Sequence, residues 1–399
     1  MRAPLAVLVL CVGCGSPGAD GPDGGGGGGS AAGGAAAGGN VVGGGSVAGG
    51  VPGGGIAGGG SAGGGSAGGG TAGGGAAGGG AVGGGSAGGG SAGGGAAGGG
   101  AAGGSVLLPD GGCNASASLS LAWPLPGTNG VEWVVNNYVD LDATAGLRDW
   151  MGRVGTAAKT YDGHRGIDID VPSFRAMDAD FPVIAAASGV VTQVIDGFAD
   201  RNVACTSQNA NLVRIRQDDC STAIYAHFKR LSIRVAVGQR VAAGQQLGVV
   251  GSSGCSTQAH LHYELLSATG VLEEPFAPNR WQNPPPYTTA ASVMDVNFRS
   301  GSYTDFNELK DPGADPASVP AGSIGIASNT ANGRSGDVIS MRLLQPDGGV
   351  NATGFMNLSQ DFGHSFWWWN RSLPGVRGTW TIEVRVNAGA PQRRRFLVP

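Results

Sequence analysis

Residues 211–227 read Asn211-Leu212-Val213-Arg214-Ile215-Arg216, then Gln217-Asp218-Asp219-Cys220-Ser221, then Thr222-Ala223-Ile224-Tyr225-Ala226-His227. Apolar and polar residues alternate with a period of two in the first segment, and β-branched and aromatic residues mark the last one, as is typical of strands. The acidic and small residues between them are typical of a turn. The stretch therefore predicts an antiparallel β-hairpin that ends on a histidine.

The chain around this hairpin has the same short-strand character. The pieces Pro182-Val183-Ile184-Ala185-Ala186-Ala187 and Gly189-Val190-Val191-Thr192-Gln193-Val194 read as strand, turn and strand, and glycines separate further apolar pieces over residues 235–250. Regular glycines between short apolar segments indicate a tightly turning β region. Because no long helical period occurs, we predict a compact, mainly antiparallel β domain over residues 113–287, called the first region below.

Residues 288–399, called the second region, also predict strands. The segments 292–298, 338–344 and 378–386 alternate cleanly, and turn residues separate them. This spacing predicts a small immunoglobulin-like β-sandwich. Its single histidine, His364, is expected at the surface or in ordinary packing.

Three consecutive tryptophans stand out in the second region, at Trp367, Trp368 and Trp369. On a strand Trp367 and Trp369 share one face and Trp368 takes the other. Filling of the core is the main interpretation, and stacking on a sugar or a protein partner is the alternative.

The N-terminal segment differs in kind. Residues 24–104 are almost wholly Gly, Ala, Ser, Thr and Val, and three glycines and two small residues repeat every five positions over much of the stretch. Such a sequence has too little apolar surface to offset the entropy of ordering the backbone. It predicts a disordered Gly-rich linker over residues 15–112, acting as a passive spacer or as a tether.

The first residues predict export. The apolar run Leu5 to Val12 follows Arg2 and is too short to span a bilayer, so residues 1–14 read as a secretory signal. The end of this run resembles a bacterial lipoprotein signal with Cys14 as the acylated residue; a plainly cleaved signal is the alternative. We expect a location in the bacterial cell envelope, lipid-anchored or else periplasmic or secreted, with no membrane contact other than a lipid on Cys14.

The formal net charge of -4 argues against nucleic acid as a partner. The basic run Arg393-Arg394-Arg395 is local and is interpreted as the solvated end of a strand.

The cysteines outside the signal are Cys113, Cys205, Cys220 and Cys255. They contain no Cys-x-x-Cys pair of the kind that structural zinc sites use, and in an oxidising compartment they predict up to two disulfides. Cys220 lies in the turn of the hairpin, whereas Cys205 precedes its first strand and so lies near the end that carries His227. If His227 joins His260 in one site, Cys255 is close as well, which favours a Cys205–Cys255 disulfide and leaves the other two over.

Four of the five histidines fall in short motifs, which read Gly163-His164-Arg165-Gly166-Ile167-Asp168, Tyr225-Ala226-His227-Phe228 and Ala259-His260-Leu261-His262-Tyr263-Glu264. Neutral imidazole is the commonest protein metal ligand and the usual general base. A spacing of two on a strand places His260 and His262 on the same face. Two imidazoles and one carboxylate with an open fourth position suit catalytic zinc, and further histidines can act as bases or stabilise developing charge.

The three motifs, in this order, resemble those of the lysostaphin/LytM-type zinc metallopeptidases of bacterial cell walls, over about residues 119–285. The resemblance implies a metallopeptidase domain with one Zn²⁺ bound by His164, Asp168 and His262. It also implies that His227 and His260 are the catalytic pair that activates water and stabilises the oxyanion. Spacing alone does not say whether His260 or His262 is the ligand. Gln258-Ala259 departs from the Gly-Pro that the family usually has before these histidines.

The resemblance implies an exported zinc endopeptidase that hydrolyses peptide bonds in peptidoglycan, with stem peptides or cross-bridges as substrate. A non-catalytic wall-binding or activator protein with the same fold is the alternative, because some relatives have lost ligands. The glycine-spaced strands also suit a biotinyl- or lipoyl-carrier domain, but such a domain needs a lysine exposed on a hairpin. The nearest lysine, Lys229, follows His227 instead.

Overall fold

The computed structural model describes residues 112–205, 209–276 and 279–399. The predicted signal, Cys14 and nearly all of the predicted linker lie outside the described residues. Within the described ranges, no helix is both long enough and apolar enough to cross a membrane.

The first region is built from short strands. In chain order they are β1 (Val134–Asn137), β2 (Ile167–Asp170), β3 (Pro182–Ile184), β4 (Gly189–Ile195), β5 (Leu212–Gln217), β6 (Thr222–Ala226), β7 (Arg240–Val241), β8 (Gln246–Val249), β9 (His260–Leu266) and β10 (Leu272–Glu273). One antiparallel sheet has the order β1-β2-β9-β6-β5-β4-β7, with β10 on β9, and β3 pairs with β8 in a small second sheet. The one α-helix described between these strands is the short α1 (Phe174–Asp178). The mainly β, antiparallel fold class is therefore confirmed.

The predicted hairpin is present as β5 and β6, which pair antiparallel with Arg214 opposite Ile224. The other edge of β6 pairs with β9, where Ala226 lies opposite His262. On its far side β9 pairs with β2, where Asp168 lies opposite the same histidine. The pairing register thus brings β2, β9 and the end of β6 together at one place in the sheet.

Both faces of β2 and β9 are buried, but they differ in polarity. The apolar face of these two strands joins the main core through Ile167, Ile169, Leu261, Tyr263 and Leu265. Because successive side chains alternate across a strand, the residues between them point to the other face. These are Asp168, Asp170, His260, His262 and Glu264, each of them buried. A buried polar face is costly unless its groups are paired, so this face is where function is expected.

The second region contains two antiparallel sheets. Its strands are β11 (Ser292–Ser300), β12 (Gly322–Gly333), β13 (Val338–Leu344), β14 (Val350–Asn357), β15 (Phe362–Leu373), β16 (Gly378–Val386) and β17 (Gln392–Val398), with a short α2 (Asn307–Lys310) after β11. The orders are β11-β12-β15 and β14-β13-β16-β17. Apolar side chains of both sheets meet in a common core that includes Val296, Ile326, Met341 and Trp380. The immunoglobulin-like character stays a prediction.

The tryptophan run lies in β15. Trp367 and Trp369 belong to the core between the sheets, whereas Trp368 packs beside Tyr303 and Phe366 in a small cluster on the other face. This placement agrees with the interpretation that the run fills cores.

The two regions touch along the β1 and β2 side of the large sheet. Val134 packs with Met294 and Ala331. Gly363 lies so close to Asn136 that a Cβ there would stand 2.7 Å from the Asn136 Oδ1 atom and 2.9 Å from its Cα. The second region therefore packs against the edge of the sheet that carries the polar face.

The cysteine prediction is confirmed for one pair and wrong for the other. Cys205 and Cys255 form a disulfide with a Cα–Cα distance of 4.0 Å. Cys113 and Cys220, expected to be left over, form a second disulfide with a Cα–Cα distance of 4.9 Å. The hairpin argument could not place Cys113, which reaches the hairpin turn because the chain beside it pairs there: the Asn114 N–H donates to the Asp218 carbonyl at 2.7 Å.

Both disulfides are expected to stabilise the fold by constraining the unfolded chain. They close separations of 50 and 107 residues, for which the chain-entropy model gives about 4 and about 5 kcal/mol. Denaturant unfolding of the double variants Cys205→Ser/Cys255→Ser and Cys113→Ser/Cys220→Ser measures the two losses. Midpoints equal to that of the wild-type protein would show that the bridges contribute nothing to the free energy of unfolding.

Candidate metal centre

Three side chains on the polar face converge on one point. The ligand atoms of His164, Asp168 and His262 all lie within 4.8 Å of one another, and the three residues are buried. The His164 Nε2 atom is 3.2 Å from Asp168 Oδ1, and His262 Nδ1 is 2.8 Å from the same oxygen. The two ring nitrogens are 3.3 Å apart. Two imidazoles and one carboxylate at this separation are a donor set that fits a single divalent cation.

Local backbone geometry allows this convergence. The register of β2 and β9 fixes Asp168 beside His262. His164 reaches them from a turn in which its own N–H donates to the Tyr161 carbonyl at 3.0 Å. A Cβ on Gly166 would lie 2.6 Å from His262 Nε2 and 2.7 Å from the Tyr263 carbonyl oxygen. Glycine at position 166 is therefore required by the close approach of the imidazole.

The outer ring nitrogen of each ligand histidine has a partner of its own. His164 Nδ1 lies 2.7 Å from the Tyr138 carbonyl oxygen, so it carries the hydrogen and leaves Nε2 for the centre. His262 Nε2 lies 3.2 Å from Glu264 Oε1 and donates to it, which leaves Nδ1 for the centre. Such outer hydrogen bonds fix the tautomer and the ring orientation of metal-binding histidines.

The carboxylate of the centre stays ionised. Burial alone would raise the pKa of Asp168, but the neighbouring His164 and His260 and the hydrogen bond from His262 hold it well below its usual range. The Asn137 Nδ2 group donates to Asp168 Oδ2 at 3.1 Å, so Oδ1 is the oxygen that faces the histidines. A permanent negative charge at the centre of a buried site favours a cation there.

In the described structure, a proton on His262 supplies positive charge. Burial would lower the pKa of His262, but the hydrogen bonds to Asp168 and Glu264 raise it to about 9. The ring is consequently protonated at neutral pH, with its Nδ1 hydrogen pointing at Asp168. That hydrogen stands where a cation bound to Nδ1 would stand.

Two further histidines border the centre. His260 Nε2 is 3.5 Å from Asp168 Oδ1, and among the described residues this buried atom has no hydrogen-bond partner. The His260 Nδ1 atom lies 2.9 Å from the Gln258 carbonyl oxygen and donates to it. The ring centroid of His227 is 4.5 Å from that of His260. The structure thus brings all five sequence-predicted site residues into one buried cluster.

His227 is held in an unusual backbone conformation. Its φ of 70° lies in the left-handed region, which non-glycine residues rarely adopt. Its Nδ1 donates to the Ser253 carbonyl at 2.5 Å. Burial, together with the neighbouring His260 and His262, holds the pKa of His227 well below its usual range, so the ring is neutral. Backbone strain of this kind is common where a functional side chain must be oriented. Here it directs the His227 ring toward His260.

Sequence reasoning missed the groups that hold the ligands. Glu264 could have been found, because it continues the spacing of two from His260 and His262 along the same strand face. Asn137 and Tyr138 carry no such signal, since they come from β1 and the residue after it and reach the site through strand pairing.

Of the two positions expected for His364, the structure shows packing rather than the surface. Its side chain is only 1% exposed, and its Nδ1 atom lies 3.0 Å from Asp170 Oδ2 in the first region. Folding brings β15 against β2, a contact between residues 194 positions apart that no local pattern predicts.

The sequence of the first region matches known proteins. Residues 162–274 match the model of peptidase family M23. The chain is 32% identical over 112 residues to the peptidoglycan DD-endopeptidase ShyC of Vibrio cholerae, covering 28% of this chain and 22% of that protein. It is 26% identical over 113 residues to an uncharacterized metalloprotease of Buchnera aphidicola, covering 28% and 26%. The chain thus spans about a fifth to a quarter of the length of these curated relatives.

Solved structures with similarity to the chain include two catalytic domains. The catalytic domain of the M23 protein EnpA from Enterococcus faecalis is 28% identical, with a TM-score of 0.26 over 38% of this chain and 93% of that one. The catalytic domain of lysostaphin from Staphylococcus simulans is 22% identical, with a TM-score of 0.22 over 38% and 90%.

The matched segment contains the strands β2 and β9, the converging His164, Asp168 and His262, and the two histidines beside them. The part of the chain that matches the model of peptidase family M23 is therefore also the part that carries the candidate metal centre.

Proposed function

We propose that this protein is an exported zinc-dependent endopeptidase that hydrolyses peptide bonds in peptidoglycan cross-links. The observation that carries the proposal is the buried convergence of His164 Nε2, Asp168 Oδ1 and His262 Nδ1, with two further histidines beside it. Catalytic zinc usually has three protein ligands, whereas structural zinc has four. The match to a peptidoglycan DD-endopeptidase supports peptidoglycan stem peptides or cross-bridges as the substrate. Export, with a lipid on Cys14, rests on the signal-like sequence alone.

In the proposed reaction, the zinc ion and the protein side chains have separate roles. When bound, zinc supplies a water of lowered pKa and polarises the scissile carbonyl. His260 and His227 act as proton acceptors. The Nδ1–H of each ring donates to a backbone carbonyl, so Nε2 carries the lone pair that can accept a proton. The ring that takes the proton of the water then has an Nε2–H that can donate to the oxyanion and next to the leaving amine. Asp168 and His262 stay fixed by Asn137 and Glu264 throughout.

Digestion of purified walls tests the function. The metal-loaded protein is expected to release new amino termini from peptidoglycan, a chelator is expected to stop the release, and added Zn²⁺ is expected to restore it. Mass analysis of the fragments identifies the bond. Normal sedimentation with walls but no release from any wall type would favour the non-catalytic wall-binding or activator alternative.

The neighbouring histidines of β9 form a matched pair of variants. His262→Ala is expected to abolish zinc retention, because it removes a converging ligand atom. His260→Ala is expected to keep zinc and to lower turnover by about 100-fold or more, the usual range for a lost general base. Zinc content after gel filtration and initial rates on the same samples measure the two effects. If the His260 variant lost the metal instead, His260 would be the metal ligand and His262 the general base.

Zinc uptake is expected to release a proton from His262. A pKa raised to about 9 in the folded protein, from an unfolded value of 6.5, stabilises the zinc-free fold fully below about pH 6.5. This contribution is lost as the pH rises through 9, and over the same range the affinity for zinc is expected to rise.

Thermal unfolding of chelator-treated protein across this pH range measures the effect, with His262→Gln as the reference. The reference is needed because burial lowers the pKa of Lys159 to about 8, so Lys159 titrates in the same window. The wild-type minus variant difference in Tm should shrink from pH 6.5 to pH 9. A constant or growing difference contradicts the assignment of the proton to His262.

A further inference from the structure

The contact between His364 and Asp170 links the second region to the metal centre. The two side chains are 1% and 2% exposed, so both are removed from solvent. The carboxylate accepts from His364 Nδ1 at 3.0 Å. The remaining ring nitrogen, Nε2, is buried and has no hydrogen-bond partner among the described residues. A buried ring nitrogen without a hydrogen-bond partner lowers the stability that the His364 side chain contributes. Stability alone therefore does not explain why a histidine stands at this position.

The same carboxylate oxygen holds a second donor. The side-chain amide of Gln258 donates to Asp170 Oδ2, alongside the His364 ring. Gln258 is itself buried. One buried oxygen therefore connects a residue of β15 with the loop that precedes β9.

The backbone of Gln258 continues this connection to the catalytic pair. Its carbonyl oxygen accepts from His260 Nδ1 at 2.9 Å and from the Ser256 hydroxyl at 2.9 Å. Asp170 also lies directly opposite His260 in the pairing of β2 with β9. Displacement of the Gln258 side chain would therefore move the carbonyl that orients the His260 ring.

We propose that His364 is a positioning residue for His260, acting through Asp170 and Gln258, so that the second region helps to orient a catalytic histidine of the first. The inference rests on the proposed function for the role of His260, but the hydrogen-bond chain exists whatever the reaction is. It predicts an effect on turnover separate from metal binding, because the metal ligands are oriented by other partners, namely Tyr138, Asn137 and Glu264.

Two variants at position 364 test the proposal in the full chain. His364→Leu introduces an apolar side chain of similar size and removes the donor to Asp170. It is expected to lower kcat by about 10- to 100-fold, the effect of a small misplacement of a catalytic group, with KM and zinc content unchanged. His364→Asn restores an N–H donor near the position of Nδ1, and kcat is expected to return to within about threefold of the wild-type value.

Asp315→Asn provides the matched control for a contact between the regions that does not reach the centre. It weakens the ion pair with Arg175, whose nitrogen and oxygen atoms are 3.1 Å apart. This variant is expected to lower Tm without changing kcat. Equal losses of kcat, zinc and Tm in His364→Leu and Asp315→Asn would overturn the proposal, because His364 would then only hold the regions together.

An activity-independent signal separates this proposal from the proposed function. The Nδ1–H of His260, identified by its loss in His260→Ala, is expected as a slowly exchanging imidazole resonance in the NMR spectrum. It should persist in His364→Asn and exchange rapidly in His364→Leu. A wild-type protein without hydrolytic activity would refute the proposed function, while this resonance would still decide the positioning role. An unchanged resonance in His364→Leu would overturn the role.

If His364→Leu does not fold, Gln258→Met tests the same chain of hydrogen bonds. It removes the amide that donates to Asp170 and keeps the length of the side chain, so the same loss of kcat with retained zinc is expected. Where both variants fold, the double variant should lose little more than either single one, since both break one chain of contacts. Additive losses would show that the two residues act independently and would contradict the proposal.

Discussion

The site depends on the antiparallel register between β2 and β9. That pairing sets Asp168 opposite His262 and Asp170 opposite His260, and it gives both strands one apolar and one polar buried face. A slip of one residue would turn every side chain of a strand to the other face, exposing the carboxylates to the core and the isoleucines to the centre. The apolar packing of Ile167, Ile169 and Leu261 thus fixes the geometry of the centre as firmly as any polar contact does.

The sequence predicted the parts of this arrangement that local periodicity encodes. A period of two placed His260 and His262 on one face, and the turn residues between Arg216 and Thr222 located the hairpin that delivers His227. The order of the three motifs predicted that these strands come together, and it led to the Cys205–Cys255 disulfide through the shared end of the hairpin. The sequence did not predict the hydrogen-bond partners that come from other elements. Tyr138, Asn137 and His364 lie in segments without any motif and reach the site only through tertiary packing.

The electrostatics of the site explain how a buried polar face is tolerated. Asp168 remains a carboxylate because imidazoles surround it, and His262 holds a proton because two carboxylates flank it. His227 stays neutral, because burial and the neighbouring His260 and His262 hold its pKa well below its usual range. His227 and His262, whose ring centroids are 5.7 Å apart, therefore differ in protonation because their charged and hydrogen-bonding neighbours differ, although both are buried.

The hydrogen bonds around the centre extend beyond the segment that matches the family. Asn137 and Tyr138 precede residue 162, and His364 lies far beyond residue 274. The matched segment consequently does not contain all the residues that orient its own site. A chimaera that carried residues 162–274 alone onto another scaffold would bring His164, Asp168, His227, His260 and His262. It would leave behind the Asn137 amide and the Tyr138 carbonyl that orient Asp168 and His164, together with the His364 imidazole that donates to Asp170.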